Sequence, residues 1–183
     1  MRTKLALLCI FLLVFFAPQA RADAKISEIR IALDGERVLT SFTLRNAFDR
    51  RLSERVDSGL PTSILYRFEL DRDRKRWWDQ KIRTATFEVT AVYDAVARAY
   101  TVHYKLDDKL VESRTVRERK MLEEAMTQVA QLPVFSLAGL PPEWRLLVKV
   151  QAEMGSRTVL SLIPVTINTD WKESSKFRAP GPP

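Results

Sequence analysis

The stretch Ser63–Tyr93, "SILYRFELDRDRKRWWDQKIRTATFEVTAVY", decides how the chain is read. Ile64, Tyr66, Phe68 and Leu70 alternate with Ser63, Leu65, Arg67 and Glu69, so one face of an extended strand is apolar. From Arg83 the alternation resumes. Ala85, Phe87, Val89, Ala91 and Tyr93 fall on one side, and Thr84, Thr86, Glu88 and Thr90 on the other. Between the two runs, Arg72, Arg74 and Arg76 take the register positions that Leu70 held. A core face does not continue into arginines, so the strand is expected to end or leave the sheet there. The intervening segment reads as a charged hairpin tip closed by a tryptophan. Trp77 and Trp78 point to opposite faces if extended, which packs one and leaves the other at the surface.

The same period runs outward. Ile29, Ile31 and Leu33 form a strand, Asp34-Gly35 a type I′ turn, and Val38 to Leu44 the returning strand. Asn46 reads as the N-cap of a short helix with Phe48, Leu52 and Val56 on one stripe, stopped at Gly59 and Pro61. Downstream of Tyr93, "DAVAR" makes a corner and Tyr100, Val102, Tyr104 and Leu106 form a strand. Asp107-Asp108 turns the chain into a short strand over Leu110–Ser113. Thr115-x-x-Glu118 reads as a capping box opening a helix whose face is Leu122, Ala125, Val129 and Leu132. A Pro-rich loop follows. Trp144 to Met154 alternates cleanly, and Val159–Ile167, interrupted by Pro164, reads as an edge strand or two short ones. The expected fold is mainly β (α+β), an antiparallel sheet or β-sandwich of about seven or eight strands with two short helices. It forms a single domain over residues 23–177, and "FRAPGPP" is a tail not expected to fold, with 178–183 outside the domain.

The N-terminus reads as an export signal. Arg2 and Lys4 precede the apolar run Leu5–Ala17, which is shorter than the roughly 20 residues of a spanning helix. Pro18 breaks it, and Ala20-Arg21-Ala22 is a small-x-small cleavage site before Asp23. Residues 1–22 hold three basic residues and no acid, so their removal takes the formal net charge from +7 to +4. Cys9, the single cysteine, leaves with them. The expected location is periplasmic or secreted, with no transmembrane segment after cleavage.

The inventory of reactive groups is thin. One histidine and no cysteine downstream of the signal leave zinc and transition metals without their usual ligands, so no metal and no cofactor are expected. His103 sits opposite the Tyr100/Val102/Tyr104 face, where a solvated histidine is the ordinary reading and a general base the sharper one. Neither a nucleophile elbow nor a phosphate-cradling glycine cluster occurs. Glu123-Glu124 reads as helix solubility. The candidate binding epitope is Arg72, Arg74, Lys75, Arg76, Trp77 and Trp78. Asp71, Asp73 and Asp79 interleave with the cations and leave a surplus of only two positive charges over 71–81, too weak for a phosphate track, so nucleic acid is not an expected partner.

Three blocks carry a family resemblance. "FTLRNAFDRRLSERVDSGLPTSILYRFELDRDRKRWWDQKI" combines a strand, a short helix, a Gly-Leu-Pro stop, an alternating aromatic strand, an Arg-rich turn and Trp. "VYDAVARAYTVHY" and "INTDWKESSKFRAP" follow in order. Together they resemble the exported bacterial domain-of-unknown-function family 4390 over about Ile29 to Arg178. The resemblance implies an exported bacterial protein with a signal peptide, and it supplies no catalytic residues. The expected function is a non-enzymatic cell-envelope interaction or accessory domain, its partner an envelope protein or an anionic envelope component. The alternatives are a hydrolase using Ser or carboxylate chemistry, and a carrier of an apolar ligand held among Tyr66, Phe68, Phe87, Tyr93, Tyr100 and Tyr104.

Overall fold

The computed structural model describes residues 23–74, 78–159 and 163–179. The expected signal peptide, residues 1–22 with the Ala22 side of its expected cleavage site, and the last four residues lie outside them. Among these residues the fold is mainly β, with two antiparallel sheets facing each other in a sandwich-like arrangement and two short helices. In the smaller sheet, β3 (Arg37–Arg45) is flanked by β2 (Arg30–Asp34), by the two-residue β1 (Lys25–Ile26) and by β8 (Gln128–Ser136). The larger sheet is a meander of β4 (Thr62–Arg72), β5 (Gln80–Asp94), β6 (Ala99–Leu106) and β7 (Lys109–Val116). β9 (Arg145–Val159) adds beside β4. The chain then returns along the far edge of β9 as β10 (Ile163–Asn168), β11 (Lys172–Glu173) and β12 (Phe177–Arg178).

Alternation places the core. Ile64, Tyr66, Phe68 and Leu70 of β4, Ala85, Phe87, Val89 and Ala91 of β5, and Val148, Val150 and Ala152 of β9 are all buried. Phe42 of β3 bridges the sheets, its ring 5.3 Å from Tyr66 and 6.0 Å from Phe68. The opposite face of the larger sheet is polar and paired across strands, Arg67 with Glu153 and Lys105 with Glu88.

Several local expectations are corrected. The first hairpin turns on Gly35-Glu36, one residue later than Asp34-Gly35. Only Gly35 has positive φ, which is the type II′ pattern rather than I′. Helix α1 (Arg50–Asp57) is capped by Asp49, whose Oδ1 accepts from the Leu52 N–H at 2.8 Å. Asn46 instead takes a left-handed φ of 59° three residues earlier. Thr115 forms no capping box. It pairs with Thr101 as part of β7, so its backbone is committed to the ladder before helix α2 (Arg119–Thr127) begins. The expected continuation of α2 through Val129 and Leu132 does not occur. Both lie in β8, paired with Phe42 and Thr40. Phe177 and Arg178, read as the start of an unfolded tail, pair with Leu146 and Arg145.

Candidate partner-binding surface

The tip of the β4–β5 hairpin is built by an irregular register. Leu70 pairs with Arg83 but Asp71 with Lys81, so Ile82 of β5 is an extra residue and the ladder bends. β4 nevertheless stays paired with β9 through Arg72, beyond the point where the arginine register was expected to end it. The reason is Trp144. The Arg72 guanidinium lies 4.1 Å from the centroid of its ring, so an arginine closes the end of the apolar face by stacking.

The acids of the stretch are turned to internal cations. Asp71 is only 3 % exposed. Lys149 Nζ lies 3.1 Å from Asp71 Oδ2, 3.4 Å from Asp79 and 3.3 Å from Glu173. Asp73 sits 3.0 Å from Lys176 and 3.5 Å from Arg145. Burial alone pulls the Lys149 ammonium down, and hydrogen bonds with Asp71 and Glu173 more than reverse it, holding the group above the ordinary lysine range. Asp71 Oδ1 is buried with no hydrogen-bond partner among the described residues. β9 and the C-terminal segment thus neutralise these acids.

The six epitope residues divide accordingly. Arg72 is half-buried against Trp144. Arg74 is exposed, and its Nε donates to the Trp78 carbonyl at 3.3 Å. Trp78 is 89 % exposed. Lys75, Arg76 and Trp77 lie outside the described residues. Lys149, Lys176 and Trp144 are essential to this surface and carry no sequence signal for it. Each is one residue of an ordinary pattern until β9 and the C-terminal segment pack beside β4.

The other candidates resolve by position. His103 is half-exposed, with Nδ1 2.8 Å from the Ser113 hydroxyl in the pairing of β6 with β7. Ser63 and Thr90 continue the row, 2.7 Å apart across β4 and β5. This is a polar ladder on the outer face of the sheet, and His103 lines neither cavity described below. Among the described residues no group of three or more histidine, cysteine or acidic side chains is arranged to hold a metal ion. The aromatic residues mostly fill the core. Tyr66 stacks on Phe87 at 6.3 Å and Phe87 on Tyr104 at 6.1 Å. Phe87 and Tyr104 also reach the floor of a groove of about 380 Å³ between β7, α2 and β8. A larger cleft of about 890 Å³ lies between α1, the start of β4 and the bulge where β9 pairs with β10.

A family model described as "Domain of unknown function (DUF4390)" matches residues 21–178. The chain belongs to this family. The DUF4390 match takes in both sheets, both helices, the hairpin tip and the segment bearing Glu173 and Lys176, so this surface lies wholly within the family domain. Among curated proteins and among solved structures nothing matches the chain. Among the described residues no helix is long and apolar enough to cross a membrane.

Proposed function

We propose that the protein is a non-enzymatic, exported interaction domain of the bacterial cell envelope that docks an anionic partner through the β4–β5 hairpin tip. One observation carries this reading: Trp78 is 89 % exposed beside Arg74, on a hairpin whose acids are engaged by Lys149, Arg145 and Lys176. An indole held in water beside a guanidinium is the residue pair that anchors protein interfaces, where tryptophan and arginine dominate the binding energy. The signal-like N-terminus supports export, and intact-mass analysis of the periplasmic fraction is expected to find a chain beginning at Asp23.

A photo-crosslinking residue at position 78 tests the docking. In envelope extracts it should capture a defined acidic partner. Arg74→Ala and raised salt should each weaken capture, because the contact is electrostatic and exposed. Capture that is indifferent to both would remove the tip as the docking surface.

The second reading, a carrier of an apolar ligand, draws on the groove between β7, α2 and β8, where Val111 and Met121 are exposed at 54 % and 52 % above Phe87 and Tyr104. Native mass spectrometry of freshly purified protein separates the two, since a carrier retains bound mass and a docking domain does not.

A further inference from the structure

The cleft beside α1 holds charges that the fold does not use. Arg51 and Arg55 stand one turn apart on the helix, both exposed and both lining the cleft. Neither guanidinium meets a carboxylate or any other hydrogen-bond acceptor among the described residues. The acids around them are engaged. Glu54 pairs with Arg50 at 2.7 Å, Glu153 with Arg67 at 2.7 Å and Glu88 with Lys105 at 3.6 Å, while Asp49 caps the helix. Asp23 also lines the cleft and is exposed.

β9 is shaped to this arginine pair. Thr166 of β10 pairs with Ser156 but Asn168 with Glu153, so Met154 and Gly155 together oppose Ile167 in a bulge. Gly155 has φ +67°, and a Cβ there would come within 3.3 Å of Arg55 Nη1. The glycine serves the bulge and leaves the guanidinium room to lie against the strand. Between the arginines and the sheet the cleft has an apolar wall of Leu65, Met154 and Ile167, the last 36 % exposed. Its volume of about 890 Å³ falls in the range of small-molecule sites.

We infer that this cleft binds an amphipathic organic anion, its carboxylate or phosphate group held by Arg51 and Arg55 and its apolar body laid on Leu65, Met154 and Ile167. Guanidinium forks match both head groups, and charge-assisted hydrogen bonds from two arginines one turn apart converge on a single anion. The site is separate from the hairpin tip and does not depend on it.

The test is a titration of isotope-labelled protein followed by NMR, with decanoate, decyl phosphate, inorganic phosphate and decyltrimethylammonium as probes. Decanoate or decyl phosphate should shift the Arg51 and Arg55 side-chain N–H signals together with the Leu65 and Ile167 methyls, and the tighter of the two identifies the head group. Arg51→Gln and Arg55→Gln, both at exposed positions that leave the core intact, should each weaken binding about tenfold. Arg74→Gln, at the hairpin tip, should leave it unchanged. Absence of binding by both alkyl anions, equal binding of the cationic analogue, equal affinity for inorganic phosphate, or binding that survives in the double Arg51/Arg55 variant would each overturn the assignment.

Discussion

Lys149 stands between Val148 and Val150 on β9, and a strand read by alternation sends its side chain to water. The side chain is instead only 19 % exposed, because Asp71, Asp79 and Glu173 close over it. Lys149→Met strips the counter-charge from a buried carboxylate and is expected to cost about 3–5 kcal/mol in urea denaturation at neutral pH. Glu173→Gln, at the exposed end of the same cluster, should cost less than about 1 kcal/mol. The lysine's folded pKa is raised, so its stabilisation is fully present below about pH 10, the unfolded value, and is lost as pH climbs through the folded value. The difference between the wild-type protein and Lys149→Met, followed by urea titrations across the alkaline range, should therefore hold steady up to about pH 10 and shrink above it. Trp78 and Arg74 were legible as candidates because no core face accommodates their stretch. Lys149 was not, because its role exists only once three other elements surround it.

The two helices show where pattern and packing part. α1 lies where the Leu52/Val56 stripe and Gly59 put it, but its cap is Asp49. Asp49→Ala is expected to cost about 1 kcal/mol by thermal or chemical denaturation. Thr115→Ala, at the position that resembles a cap and is strand, should stay within about 0.5 kcal/mol in the same assay. α2 ends early because its last carbonyls have other partners and its successor has another sheet. The Tyr66 and Tyr104 hydroxyls donate to the Met126 and Ala125 carbonyls at 2.8 and 3.1 Å, and β3 then pairs with Gln128–Ser136. Burial holds the Tyr66 phenol protonated far above the ordinary tyrosine range, so it remains a donor in alkaline solution. Tyr66→Phe leaves a buried carbonyl unpaired and should cost about 1–3 kcal/mol in the same denaturation experiments. The heptad-like spacing of Leu122, Ala125, Val129 and Leu132 contains no trace of those long-range partners.

At the scale of the molecule, the sandwich leaves β7 paired only with β6 among the described residues. That edge carries Lys109, Glu112 and Arg114, and its register breaks between Tyr104 and Lys105, two devices that discourage another chain from pairing there. Replacing Glu112 and Arg114 together with valine should produce aggregation, seen by light scattering, at concentrations where the wild-type protein stays clear. The same view explains the two candidate surfaces. β9 and the C-terminal segment hold the acids of the β4–β5 hairpin, and the cleft lies where α1 meets the start of β4 beside the β9 bulge.

Composition, period-two alternation and one i, i+4 stripe by themselves determined the β character, the hairpin-spaced strands, the first helix and the odd character of residues 69–81, because each depends on neighbours within a few positions along the chain. The strand identity of Gln128–Ser136, the pairing of Phe177–Arg178, the neutralising role of Lys149 and the meeting of Arg55 with Gly155 were decided only in three dimensions. Each joins residues far apart in the chain, and such contacts form only when the chain closes long loops between segments that carry no local mark of their partners.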